Sequence, residues 1–198
     1  MLKYLSAAFL FLFASLSSFE KLPEKYLVTF GNKEAPIEII QYYSLSCPHC
    51  VSLFRNDFLD IKKNHIDSGK ICYTFHPVPM DLTTVQLMCC LGELDAGQKQ
   101  LLLGVIFEEL DLENPEVTTI MLKHSMEIFK KPLEKLDNDD FLKNSDAFAS
   151  ATDFVIQDDK PTTIPSLEIG GKRVNQAPEY TFVSLMLATV FEEDIYEK

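Results

Sequence analysis

The chain lacks tryptophan altogether, and basic residues are scarce: 18 Lys and Arg against 30 Asp and Glu leave a net charge of −12. Phosphate binding needs a basic stripe, so nucleic acid is excluded as a partner class, and adsorption to anionic membrane surfaces is disfavoured. Internal repeats and low-complexity tracts are missing as well, which argues against a solenoid or a disordered linker. Long apolar runs are few. The nearest approach, Tyr4 to Leu16, falls short of the ~20 residues of a membrane-spanning helix. What remains is ordinary globular composition, 46% hydrophobic and 24% charged over 198 residues, enough for one domain or one domain carrying an insertion.

The N-terminus reads as a leader. Met1-Leu2-Lys3 is a basic start, Tyr4 to Leu16 is almost wholly apolar, and Ser15 to Ser18 supplies mostly small residues. That is the three-part plan of a secretory signal peptide, residues 1–17 with a cut after Ser17; an uncleaved anchor is the alternative. No cysteine stands at the cut, which argues against a lipoprotein. Export changes how the five cysteines, Cys47, Cys50, Cys72, Cys89 and Cys90, are read. In an oxidising compartment a Cys-x-x-Cys pair points to redox chemistry or a structural disulfide before a zinc site. The odd count leaves at least one thiol free or paired between molecules.

Cys47-Pro48-His49-Cys50 follows directly on the apolar run Ile39 to Leu45. Two cysteines three apart, at the end of a predicted strand and the start of a predicted helix, have the spacing of a dithiol site. Pro48 suits the first helical turn, where its missing N–H costs nothing. His49 adds a titratable positive charge or an N–H donor beside a sulfur. A thiolate at a helix N-terminus is stabilised by the dipole and by free N–H groups. The pattern calls for no metal and no separate cofactor.

Around the tetrad the chain predicts strands at Tyr26–Phe30, Ile37–Tyr43 and Ile71–Phe75. Between the last two lies a helix whose apolar stripe is Val51, Phe54, Phe58, Ile61 and His65, stopped by Gly69. This β-α-β unit implies parallel strands and a right-handed crossover. Thr83 to Thr152 reads as a block of helices, with stripes Val85, Met88, Leu91, Leu94 and Leu102, Val105, Ile106, Leu110. Pro115 and Asp139-Asp140 open later segments. Ser166–Ile169, Gly170-Gly171 and Lys172–Val174 predict a hairpin, and Pro178 starts a final helix to about Phe191.

The tetrad after an aromatic strand, the helical block, and Thr163-Ile164-Pro165-Ser166 before a Gly-Gly hairpin together resemble the DsbA family of periplasmic thiol-disulfide oxidoreductases. The resemblance runs from about Tyr26 to the C-terminus. It implies an α/β thioredoxin fold with an inserted helical domain: a thioredoxin-like domain at 18–80 and 160–198, and a helical insertion at 81–159. It further implies that Cys47 is the exposed attacking cysteine and Cys50 its buried partner. Pro165 becomes a cis-proline against the disulfide, and Ile164 offers backbone groups to a substrate strand. A proline there also leaves an unpaired edge to which an extended peptide can add.

The implied activity is an exported oxidase that donates its disulfide to newly translocated, cysteine-bearing proteins and is reoxidised by a membrane partner of the DsbB kind. A monomer is expected; isomerases of this superfamily usually carry a separate dimerisation domain, for which the short stretch before Tyr26 has no room. Two alternatives stand beside it: a reductase or isomerase on the same fold, and a peptide-binding chaperone with an incidental dithiol. Two departures bear on the site. Gln41 stands six residues before Cys47, where the family often has a buried glutamate that ferries protons, and glutamine does not titrate. The tryptophan common near such sites is missing. Glu38, at an odd offset from Gln41, points to the opposite face.

The remaining titratable residues have plainer readings. Cys89-Cys90 sit in an apolar helix and read as small buried hydrophobes, since neighbouring cysteines bridge only with strained geometry. His65 reads as half-buried, His76 as just past a strand end and somewhat nearer the site, and His124 as helix surface. Asp137 to Asp140 and Asp158-Asp159 read as solvated loops and caps.

Overall fold

The computed structural model describes residues 20–174. The leader at 1–17 and the helix expected from Pro178 lie outside them. β-branched and aromatic runs form the centre of a five-stranded sheet: β1 (Val28–Phe30), β2 (Ile37–Tyr43), β3 (Ile71–Pro77), β4 (Ser166–Ile169) and β5 (Lys172–Val174), in the order β1-β3-β2-β4-β5. β2 and β3 are parallel, with Ile39 opposite Tyr73 and Gln41 opposite Phe75. β1 is antiparallel to β3, and the β4–β5 hairpin is antiparallel to β2. Both central strands are buried almost throughout, which is why they read as continuous apolar runs with little alternation.

The crossover between β2 and β3 is one long helix of mixed pitch. It is α-helical at α1 (Pro48–Leu53) and α2 (Leu59–Ile61), and π-helical at Phe54–Phe58 and Lys62–Ile66. The wider turns explain an added core residue. The stripe predicted at 3.6-residue spacing ends on His65, which is half-buried as expected; Ile66, outside the stripe, is buried beside it, because a π turn holds an extra residue. Between β3 and β4 come α3 (Leu82–Glu93), α4 (Ala96–Glu109), α5 (Pro115–Ile128), α6 (Asp139–Lys143) and α7 (Asp146–Val155). A β-α-β unit and an antiparallel hairpin sharing one sheet, interrupted by helices, constitute a thioredoxin fold with an inserted helical region.

One aromatic seam joins the two parts. Phe54 stacks on Phe107 of α4 with ring centroids 4.5 Å apart, and Phe58 meets Phe75 of β3 edge-on at 4.9 Å. Arg55 crosses the same seam, donating through Nε to the Phe107 carbonyl at 2.8 Å and through its terminal nitrogen to that of Leu110 at 3.0 Å. A cation on the last carbonyls of α4 satisfies acceptors that the helix itself leaves open.

Three local expectations are corrected. Tyr26 belongs to a 3₁₀ turn, Glu24–Tyr26, and the first strand starts at Val28; the tyrosine is buried because that turn packs on α3. Val105 is 48% exposed, while Leu103 and Phe107 take the buried positions, so the core face of α4 is rotated from the predicted stripe. β3 runs on to Pro77, which places His76 inside the strand. There it is buried against Tyr42 and Phe154, and its Nε2 accepts the Leu22 N–H at 3.0 Å. Burial pushes this imidazole down to about 4. Its place is structural.

The turn after β1 has little slack. Gly31 has φ of +90°, and a Cβ there meets the Ile71 carbonyl oxygen at 2.7 Å and Ile66 Cγ2 at 2.9 Å. Gly31→Ala is expected to lower stability by about 3 kcal/mol, read as a drop in the urea midpoint at constant slope.

Candidate active site

Strand β2 ends at Tyr43, and Ser44 to Ser46 turn the chain so that Cys47 becomes the N-cap of α1. Its backbone is extended (φ −96°, ψ 108°), Pro48 takes the first helical position, and Cys47 Sγ accepts the Cys50 N–H at 3.3 Å. A sulfur thus does the work of a capping hydroxyl or carboxylate. Cys47, expected to be exposed, is buried with 8% of its surface accessible, because it caps α1 under Ile164; Cys50 is fully buried, whereas Pro48 and His49 are exposed. Across from them the Ile164–Pro165 bond is cis, Ile164 is half-buried, and its carbonyl oxygen stands 3.6 Å from Cys47 Sγ. Residues 117 apart in sequence therefore meet at one sulfur.

The two thiols are electrostatic opposites. Cys47 is lowered from 9.0 to about 6, first by a hydrogen bond from the Cys50 thiol, then by the backbone N–H groups of Cys50 and His49 and by the His49 charge, all against burial. Cys50 is pushed far above the ordinary thiol range, by burial first and by its neighbour second. The sequence points to His49 and the helix terminus as the source of the shift. The structure ranks the partner thiol first and the histidine charge last.

A carboxylate unmarked by any motif braces this turn. Asp81, N-cap of α3, accepts the Thr84 N–H through Oδ1 at 2.8 Å. Its Oδ2 accepts the hydroxyls of Ser44 at 2.5 Å, Thr84 at 2.8 Å and Ser46 at 2.9 Å. Thr84 Oγ1 in turn accepts the Leu45 N–H at 3.0 Å. Asp-x-x-Thr before an apolar run is legible as a helix start. That it also gathers both serines ahead of Cys47 is a tertiary fact with no signal in the sequence.

Gln41 is fully buried; its Oε1 accepts the Tyr73 hydroxyl at 2.7 Å, and its Nε2 has no partner among the described residues. The hydroxyls of Tyr43 and Tyr73 are held protonated, chiefly by burial. Glu38 is exposed on the other side of β2, as its offset predicts. Cys89 and Cys90 are buried free thiols, Cys89 lying 3.6 Å from Ser145 Oγ. His124 is exposed beside Glu127, Asp137 pairs with Lys123 at 2.8 Å, and Asn138 caps α6 ahead of Asp139 and Asp140.

Fold and tetrad together define a thioredoxin-fold dithiol protein. The family model described as Thioredoxin matches residues 24–187, and the chain belongs to that family. A Rickettsia prowazekii protein, provisionally named a protein-disulfide oxidoreductase, is 32% identical over 72 residues, 35% of this chain and 26% of that protein. One from Rickettsia bellii, named likewise, is 33% identical over 79 residues, 38% of this chain and 30% of the relative. The match thus spans less than a third of these curated relatives. Among solved structures, Wolbachia pipientis alpha-DsbA1 superposes with a TM-score of 0.67 at 21% identity, over 89% of this chain and 96% of that one. MdbA, a thiol-disulfide oxidoreductase from Actinomyces oris, gives 0.61 at 17%, over 85% and 90%. The shared feature is the DsbA-like fold.

Thiolate absorbance of the reduced protein is expected to titrate near pH 6 and to be absent from a Cys47→Ser variant. Cys50→Ala is expected to raise that midpoint more than His49→Ala does. The sign for stability is that of a lowered acid: the thiolate's contribution to the reduced fold is complete above 9 and is lost as pH falls through about 6. Asp81→Ala leaves three hydroxyls without their common acceptor and is expected to cost about 2–3 kcal/mol in chemical denaturation.

Proposed function

We propose that the protein is an exported thiol-disulfide oxidoreductase that donates a Cys47–Cys50 disulfide to newly exported proteins with unpaired cysteines. The observation that carries this reading is the asymmetry of the two sulfurs: one lowered to about 6 at a helix N-terminus, the other buried and raised. In the oxidised protein a substrate thiolate attacks Cys47 Sγ, forming a mixed disulfide, and Cys50 leaves and takes up a proton. A second substrate thiolate then attacks the substrate sulfur, and Cys47 leaves as a stabilised thiolate. Two electrons pass to the protein, the substrate keeps the disulfide, and the protein is left as the dithiol.

The direction follows from the leaving group. A sulfur stable as a thiolate departs easily, so lowering Cys47 stabilises the reduced protein and makes the oxidised one a stronger oxidant. Three units, from 9.0 to about 6, correspond to roughly 90 mV for a two-electron couple. Ile164, with its carbonyl at the sulfur and its side chain half-buried, and Pro165 supply the platform for an extended substrate strand. The leader-like N-terminus supports export to the periplasm, where a DsbB-like membrane protein would restore the disulfide.

Equilibration with glutathione tests the direction. The Cys47–Cys50 couple is expected to lie above the ~−270 mV of thioredoxin; a potential at or below that value makes the protein a reductase. A Cys47→Ser, Cys50→Ser double variant is expected to lose all disulfide transfer. Retention of its cellular role would mark a peptide-binding module instead.

A further inference from the structure

Beside the tetrad lies a cavity of about 730 Å³. Leu45 and Ser46, the last residues before Cys47, form part of its lining, so it is continuous with the active-site turn. From the helical layer it takes Leu82, Leu112 and Ile120, which are 49%, 42% and 65% exposed, and Met80, two residues from Leu82, is 68% exposed. Side chains of this size are seldom left together in water unless something covers them.

The charged lining is acidic on balance, with Asp81, Asp111, Glu116 and Asp137 against Lys123. Asp111 and Glu116 are exposed carboxylates without ion-pair partners among the described residues, while Lys123 is already paired with Asp137. Thr118 adds an independent pointer. It lines the same cavity, it is fully buried, and its Oγ1 has no hydrogen-bond partner among the described residues. A buried hydroxyl left unpaired costs ~1–3 kcal/mol, a penalty that a ligand N–H or carbonyl would remove.

We propose that this groove binds the stretch of substrate next to the reactive cysteine, and that it selects an extended segment combining apolar side chains with Lys or Arg. The proposal rests on the oxidoreductase reading for its substrate and adds the chemistry that chooses it. The apolar side chains cover Leu82, Leu112 and Ile120. The cation faces Asp111 and Glu116, and the peptide backbone meets Thr118 Oγ1. The cysteine of the same segment then falls at Cys47, one residue beyond the Ser46 wall.

Two short unstructured peptides test it, identical except that the leucine-flanked cysteine pair is followed by two lysines in one and two glutamates in the other. With stoichiometric oxidised protein and acid quenching, the lysine peptide is expected to be oxidised about tenfold faster at low ionic strength, a ratio that shrinks in 0.5 M salt. Asp111→Asn with Glu116→Gln is expected to bring the ratio close to one. The same charge change at Glu34 and Asp67, at the opposite end of β2 and β3 from Cys47, leaves it in place.

Serine versions of both peptides separate docking from chemistry. By fluorescence anisotropy the lysine form is expected to bind more tightly than the glutamate form. Thr118→Val is expected to weaken that binding several-fold without lowering the urea midpoint. Equal binding of the two serine peptides, no binding of either, or a ratio untouched by the Asp111/Glu116 change would overturn the groove. Selective binding of the lysine serine-peptide with no oxidation of its cysteine form keeps the groove and overturns the oxidase reading.

Discussion

Everything at this site depends on Cys47 Sγ occupying the N-cap of α1. That position gives the sulfur the Cys50 N–H at 3.3 Å and the Cys50 thiol as donors, and it buries the second cysteine on the next turn. One helical turn therefore creates two thiols that differ in every respect relevant to exchange. The outer one keeps a small exposed edge and is acidic, and the inner one is wholly buried with its acidity suppressed. A charge on the histidine between them is a minor addition to an effect made mostly by hydrogen bonds at contact distance.

An N-cap holds its geometry only if the turn leading into it is held. Here the inserted helices hold it from two sides. Asp81 at the start of α3 collects Ser44, Ser46 and Thr84 on one oxygen, and Arg55, eight residues past Cys47, grips the last carbonyls of α4. Phe54 stacked on Phe107 fills the space between these two polar anchors. The helical region is thus more than a spacer in the β3–β4 connection. It braces the redox turn and, in the same stroke, forms the far wall of the groove beside it.

What was legible in the sequence was whatever a local period or a short motif encodes. The strand–tetrad–helix junction, the parallel β2–β3 unit and the Gly170-Gly171 hairpin each rest on patterns within a dozen or so residues. The losses are of a different kind. Ile66 was missed as a core residue because π turns break the period that the stripe assumed. Val105 was misread because the buried face of α4 runs through Leu102, Leu103, Ile106, Phe107 and Leu110, and exposed apolar residues at its edge, Leu101 and Val105, blur the stripe. His76 became core because β3 outran its apolar run by two residues. Asp81 carries no redox signature, and its role exists only where residues 35 and 37 positions apart meet.

An acidic groove beside a thiolate sets recognition against chemistry, yet the two act over different ranges. A carboxylate on the order of 10 Å from the sulfur, across water, repels it by only about 0.4 kcal/mol before salt screening. One unit of thiol acidity is about 1.4 kcal/mol, and N–H and S–H donors at contact supply it in a shielded turn where water does not. Redox poise is therefore set by the first turn of α1, and the acids of the groove leave it nearly untouched. The same weak, long-range field is well suited to steering, since it acts on an approaching cation before any contact forms. A chain with net charge −12 can thus keep a thiolate at its centre and still favour basic substrates. Short hydrogen bonds set the sulfur, and the diffuse field sets what comes to it.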